Sequence, residues 1–369
     1  MSLASESAPA ATMQLDYLHY RPALDPGSEL APTAAVVGRV TAGARLTLCG
    51  YATLRADGES IVVGANGFFA ERATVHIADS VYGTAIGNDV TVGRFALVHG
   101  CTVGDGVVVG DGAAVTDGAS VGAGALIAAG SLVPPRKQLA GGWLHAGSPA
   151  VPVRPLAEGE LAAAAAAIRV GTDHAIARLR DLPPLDMAPF LTADRRSTAP
   201  HASVRPDPRF PRAYVAPTAL VSGDVTLADD AGIYFACAII AGDGRIVIGP
   251  RTNIQDNSLL VTDRVRGEIV LGTAVTIGHN VRMGAAVVED DALIGMASQL
   301  GDGVVVERGG CVAARAWVEP GTVVKAGWIW AGRPACAFRE LKDAERELFA
   351  NGCDVYVRYG RAYLGAPGV

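Results

Sequence analysis

Seven histidines carry most of the chemistry this chain could do: His19, His76, His99, His145, His174, His201 and His279. A neutral imidazole can ligate zinc or a related divalent metal, or serve as a general base. Taken singly, each reads as a packed or exposed side chain. Their placement in the repeat described next singles out His76, His99 and His279. The six cysteines show no CxxC and no other ligand spacing, and read as reduced, mostly buried fillers. Glycine-rich runs such as Gly122–Gly130 look like nucleotide loops but have no strand-loop-helix context, so turns account for them better.

The elements that must position these residues announce themselves as a repeat. Aliphatic residues recur every six positions at Val103, Val109, Val115, Val121, Ile127 and Val133, and again at Val288, Ile294, Leu300, Val306, Val312, Val318 and Val324. A period of six fits neither an α-helix nor a long alternating strand. It fits a β-helix in which each hexad is a short strand plus a tight turn, and three hexads close one triangular coil. The aliphatic side chains stack inward from coil to coil. Gly, Asn and Asp occupy the turns, where positive φ is needed. One coil cannot bury its own apolar face, so coils must stack.

The two halves match each other. Ala31-Pro32-Thr33-Ala34 recurs as Ala216-Pro217-Thr218-Ala219, and the same offset carries Gly64 to Gly249 and Val103 to Val288. The chain reads as a tandem duplication: an N-terminal β-helix domain with its helix at 16–182, a proline-rich linker at 183–211, and a second such domain at 212–369. Each β-helix is expected to end in a turn at 147–150 or 332–335. A helix follows, at about 158–180 in the first half, which has an alanine-rich run, and about 341–364 in the second. Residues 1 to about 15 read as a loose tail. Among 369 residues with 45 glycines and a net charge of −6, nothing suggests nucleic acid as the main partner. No run of about 18 apolar residues marks a membrane span. MSLASESAPAAT has neither the basic nor the hydrophobic region of a secretory signal, so a cytoplasmic location is expected.

VTVGRFALVHGCTVGDGVVVGDGAAV and VTIGHNVRMGAAVVEDDALIGMASQL resemble the central coils of gamma-class carbonic anhydrases. TNIQDNSLLV, the LRAD at Leu54–Asp57 and the ELKDAERELF…VYVRYGRAYL helix belong to the same pattern. The resemblance covers both halves apart from tail and linker. It implies a mainly β fold, with two left-handed parallel β-helices in tandem, each followed by a C-terminal α-helix. The left hand comes from the resemblance and runs against the usual crossover rule.

The resemblance also implies a metal, usually zinc, with Fe²⁺ or Co²⁺ as alternatives. Three histidines hold it, two from one subunit and one from its neighbour. Carried over by position, half one keeps His76 and His99 but has Arg94 at the second ligand position. Half two has Val261, His279 and Gly284 at the three positions. The losses are complementary. A half-one face docked on a half-two face would assemble His76, His99 and His279, with Gln255 beside them, where half one has Ala70. Three imidazoles would leave a fourth zinc position open for water, so that a metal hydroxide attacks CO₂ or another electrophilic carbon. Gln255 is expected to bond that water or the substrate. Asp256 would orient its neighbours, and Arg55 would hold an anionic product such as bicarbonate. Asp57 matches the family's aspartate near the site, and Glu71 occupies the acidic position after Ala70. An interface salt-bridge cluster is the competing reading for Arg55, Asp57 and Asp256. Arg94 repels a cation, so the eroded interface is expected to be metal-free, holding an anion or a salt bridge. His174 is read as sitting on the first terminal helix where the second has Tyr356, and both are placed at the edge of the site, with a packed or exposed role as the competing reading. The loop IADSVYG is too short to carry the proton-shuttling glutamate of some family members.

The leading expectation is therefore a metal-dependent lyase of carbonic anhydrase type with one composite site per chain, acting on a small molecule such as CO₂ or bicarbonate. A hydrolase, cyclase or condensing enzyme repurposed for a larger substrate comes next. A hexapeptide-repeat acyltransferase and a non-catalytic scaffold are further alternatives. The resemblance also implies trimer-like interfaces. A two-domain chain cannot fill a three-member ring with alternating halves. A linker of some thirty residues spans up to about 100 Å, so pairing of the halves in cis and in trans both stay open.

Overall fold

A computed structural model describes residues 13–181 and 208–365, with the backbone alone for the helical residues 172–181. The hexad rows form the walls of two β-solenoids. In half one, strands Thr74–His76, Leu97–His99, Ala114–Val115 and Leu132–Val133 stack as one parallel ladder, in the register Thr74, Leu97, Ala114, Leu132. Strands Thr84–Ile86, Thr102–Val103, Ser120–Val121 and Gln138–Leu139 make a second ladder. Phe68–Phe69, Thr91–Val92, Val108–Val109, Leu126–Ile127 and Trp143–Gly147 make a third. Consecutive strands visit the three ladders in turn, so each coil is three-sided. Half two repeats the plan, with Leu259–Val261, Arg282–Met283, Gln299–Leu300 and Trp317–Val318 as the ladder equivalent to the first.

Two separate aliphatic cores fill the solenoids. Val75, Val98, Val115 and Val133 line up inside the first, and Ile254, Ile277, Ile294 and Val312 inside the second. Each inward row is fully stacked, so a shortened side chain there opens a void that its neighbours cannot fill.

The solenoid ends differ from the expected turn followed directly by a helix. Trp143–Gly147 pairs antiparallel with a further strand, Ala150–Pro155, and Trp328–Gly332 does the same with Ala335–Glu340. These hairpins cover the open edge of the last coil, which would otherwise expose unpaired backbone. Helix α1 (Glu160–Asp181) then lies on the third ladder of half one, packing Leu161, Ala164, Ala165 and Ile168 against Phe68, Val108 and Leu126. Helix α2 (Asp343–Tyr363) lies on the matching ladder of half two and sends Tyr356, Tyr359 and Tyr363 towards half one. No helix among the described residues is long and apolar enough to cross a membrane. The linker expected at 183–211 lies almost wholly outside the described residues.

The halves pair within the chain through their corner turns. Asn257 Nδ2 donates to Thr74 Oγ1 at 2.9 Å, Asn280 Nδ2 to the Phe95 carbonyl at 3.1 Å, and Arg72 Nη1 to the Ala236 carbonyl at 2.8 Å. Arg315 donates to the Gly112 carbonyl at 2.5 Å and also to that of Gly130. Arg72, Phe95, Asn257, Asn280 and Arg315 all have positive φ, the left-handed turn conformation that lets a coil change face without widening.

Candidate metal centre

His76 and His99 end adjacent rungs of the first half-one ladder, where they are direct register partners. His279 follows the strand Thr276–Ile277 of half two, at the corner that meets that ladder. The three imidazoles therefore converge from two solenoids. Ring centroids lie 4.7 Å apart for His76 and His279, and 5.2 Å for both pairs with His99. One nitrogen from each falls within 4.8 Å of the other two.

Each histidine is backed by an aspartate. His76 Nε2 bonds Asp57 Oδ1 at 3.1 Å, leaving Nδ1 facing His99 Nε2 at 3.2 Å. His99 Nδ1 bonds Asp117 Oδ1. His279 Nδ1 lies 3.2 Å from Asp256 Oδ2, in contact but off the hydrogen-bond line, and Nε2 meets the Tyr356 hydroxyl at 3.1 Å. A carboxylate on the outer nitrogen draws the proton there and turns the inner lone pair towards the centre. Two nitrogens on a tetrahedral zinc at the usual bond length are about 3.3 Å apart, which the 3.2 Å His76–His99 separation matches. The donor set thus fits zinc.

Burial favours the same state. It pushes the His279 imidazole down to about 4, against the pull of Asp256. Burial, followed by the Arg55 charge, holds His76 well below the ordinary histidine range. Both rings are neutral at pH 7, the form a metal needs. Burial alone would raise the Asp256 carboxyl, but Arg55 and His279 hold it below the usual carboxylate range. Burial does raise Asp57.

Arg55 anchors this array and is itself fully buried. Its guanidinium donates to Asp57, to Asp256 at 2.8 Å and to the Tyr356 hydroxyl at 3.2 Å, and lies over the Tyr234 ring. One arginine against two aspartates leaves the cluster a surplus negative charge, which favours a cation beside it. Tyr363 Oη donates to Asp57 at 3.0 Å, so α2 ties the second half to the aspartate that backs His76.

Of the residues singled out in the sequence, His76, His99, His279, Arg55, Asp57 and Asp256 come together. Arg55 was read as a holder of anionic product. Here it is saturated by two carboxylates and a phenol, as the salt-bridge reading has it. Gln255 is buried and donates to Asn253 Oδ1 at 3.1 Å. Glu71 belongs to the eroded counterpart in half one, where its carboxylate is 3.4 Å from Arg94. Arg94 also bonds Asp111 and the Ile168 carbonyl of α1. It fits because Gly171 stands where α2 has Tyr356: a Cβ at Gly171 would lie 2.5 Å from the guanidinium. In half two, Gly284 stands where half one has His99. Asp302, the counterpart of Asp117, bonds the Ala285 amide at 2.9 Å and fills the vacated room. His145 is buried against the Ala140 carbonyl. The side chain of His174 and all of His201 lie outside the described residues. The sequence reading missed Asp117, Tyr234 and Tyr363. Asp117 lies 18 residues beyond His99, one coil on, and that spacing is the signal that could have found it.

No protein-family model matches the sequence. Gamma carbonic anhydrase 1, mitochondrial, of Arabidopsis thaliana is 37% identical over 156 residues, which is 41% of this chain and 57% of that protein. A carbonic anhydrase of Geobacillus kaustophilus (strain HTA426) is 32% identical over 151 residues, 41% of this chain and 82% of that protein. The chain thus spans a little over half the length of the plant relatives it matches. Among solved structures, one titled a putative acetyltransferase from Desulfovibrio desulfuricans G20 aligns over 100% of this chain and 82% of that one, with a TM-score of 0.52 and 14% identity, a likeness of fold alone.

Proposed function

This chain belongs to the gamma-carbonic-anhydrase-like family, and from that premise we propose that it is a metal-dependent lyase of carbonic anhydrase type, with one zinc site built from both halves. The observation that carries the reading is the convergence of His76, His99 and His279, each with an aspartate at its outer nitrogen. Zinc bound there supplies Lewis-acid activation of water for attack on CO₂. The chain's own residues do the rest. Asp57 and Asp117 fix the tautomers of His76 and His99, Asp256 lies against Nδ1 of His279, and Arg55 holds Asp57 and Asp256 in place. Tyr356 accepts from Arg55 and bonds the inner nitrogen of His279, so its hydroxyl would yield that nitrogen to the metal. Gln255 stands next to Asp256 as the neutral polar group available to a small substrate. Complementary loss of ligands, with an arginine salt bridge at one eroded site and Asp302 folded into the other, supports one site per chain.

The test is elemental analysis of protein purified without added metal, paired with a CO₂ hydration assay. One metal per chain, lost in His279→Ala although half one is untouched, is the expected result, with activity following the metal. Protein that stays metal-free when zinc or iron is supplied would sink the proposal. Full metal binding without CO₂ hydration would move the reaction to another electrophilic carbon.

A further inference from the structure

The two terminal helices lie on equivalent ladders but do not cover them equally. In half one, Phe68 and Leu126 on the ladder and Leu161 and Ile168 on α1 fill the space between helix and sheet. The positions 185 residues further on are, in the same order, Asn253, Cys311, Arg346 and Cys353. Each exchange removes apolar bulk or puts a polar or charged group in its place. A cleft of about 580 Å³ opens there, between α2 and the ladder of half two. That volume is of the size that holds small molecules. None of the residues lining it belongs to the metal centre.

The lining is of two kinds. Leu293, Leu341 and Phe349 present apolar surface, continuous with the small cluster around Cys311. Arg251, Arg308 and Arg346 present guanidinium groups. Arg251 pairs with Asp354 through Nη2, and Arg308 with Asp291 through Nε and Nη2, at 3.1 and 2.9 Å. Nη1 of both arginines is left without a carboxylate among the described residues. Arg346 has still less. Its nearest carboxylate among them, on the fully exposed Asp343, is 4.0 Å away. Its guanidinium lies against the turn at Gly327, where a Cβ would come within 2.9 Å of it. In half one Leu161 takes the equivalent seat, 4.0 Å from a Cβ on Gly124. Three guanidinium groups against two carboxylates leave the cleft one positive charge in surplus, in a chain whose net charge is −6. The floor is satisfied. Cys353 Sγ donates to the Arg251 carbonyl at 2.9 Å, and Asn253 Nδ2 to Thr276 Oγ1 at 2.9 Å. Burial pushes the Cys353 thiol up to about 11, so it stays protonated and offers no nucleophile.

We infer that the cleft under α2 binds a small monocarboxylic acid with an apolar body, its carboxylate on Arg346 and the unspent N–H groups of Arg251 and Arg308, its hydrocarbon against Leu293, Leu341 and Phe349. A monoanion matches the surplus charge, and guanidinium groups bond carboxylates strongly. The apolar wall adds affinity with every methylene it covers. The inference stands apart from the metal chemistry, and the test keeps the two separate. Octanoate is the probe, titrated calorimetrically into the full chain, wild type and His279→Ala alike, so that a carboxylate ligating a metal is told apart. Expected is one octanoate per chain with the same Kd in both proteins, about tenfold or more tighter than acetate, octanol or inorganic phosphate. Arg346→Leu and Phe349→Ala each install the residue that half one carries at that place, and circular dichroism verifies their fold. Each should weaken octanoate by about tenfold or more, while Arg346→Lys, which keeps the charge, should weaken it less. No binding, binding lost in His279→Ala, phosphate or octanol held as tightly as octanoate, or an affinity unchanged by Arg346→Leu would each overturn the inference.

Discussion

Asp117 touches none of the converging nitrogens, yet it decides which nitrogen of His99 can. Its carboxylate takes the Nδ1 proton and leaves Nε2 free. Asp117→Asn removes that charge and should weaken zinc binding by about ten- to a hundredfold, measured by competition with a chromophoric chelator, while the circular dichroism spectrum stays unchanged. Arg55→Met is a harsher change. It strands Asp57 and Asp256, both buried, without their cation, and should cost about 3–5 kcal/mol in chemical denaturation even in metal-free protein. The three histidines were legible in the sequence because their positions fall on a known pattern and the halves differ in a complementary way. The product-binding part expected of Arg55 was not borne out, because its three partners depend on α2 folding back across the other half. Asp117 stayed hidden because its pairing runs between stacked coils, which a linear motif does not display. The same holds for Asp302 and Gly171, which explain why the eroded sites are filled.

At the scale of elements, the hexad period predicted the ladders, since every sixth side chain must enter the prism. The closing strands Ala150–Pro155 and Ala335–Glu340 escaped the reading. Their sequences, AVPVRP and ACAFRE, break the period, and what holds them is pairing to the last coil. Both helices begin alike: Glu160 accepts from Arg154 and the Ala157 amide, and Glu345 from Arg339 and the Lys342 amide. Hydrogen bonding by Arg339 holds the Glu345 carboxyl at about 2, below its ordinary 4.5. A carboxyl depressed in the fold contributes its full stability above its unfolded value and loses it as the pH falls towards the folded value. Glu345→Gln should therefore flatten the fall of the thermal midpoint between about pH 4.5 and 2, and lower it only slightly at pH 7, because the pair is partly exposed and screened. Scanning calorimetry across that range reads both.

For the molecule as a whole, the division of ligands makes metal binding a statement about pairing. Half one offers His76 and His99, half two offers His279, and the described contacts join them within one chain. A metal that binds only the paired state stabilises both halves together. Zinc should slow hydrogen exchange in the strands Thr74–His76 and Leu97–His99 of half one, and His279→Ala, though it lies in the other half, should abolish that protection. A mixing experiment then separates pairing in cis from pairing in trans. His279→Ala and the double variant His76→Ala/His99→Ala each lack a complete site. If halves exchanged between chains, equimolar mixing would rebuild one composite site for every two chains, and metal content would rise. The interlock argues for the opposite result. Tyr363 of α2 reaches Asp57, Tyr17 of the N-terminal segment packs on Tyr359, and Arg55 bonds Asp256. Exchange would have to break this buried network, so the mixed variants should stay metal-free by elemental analysis.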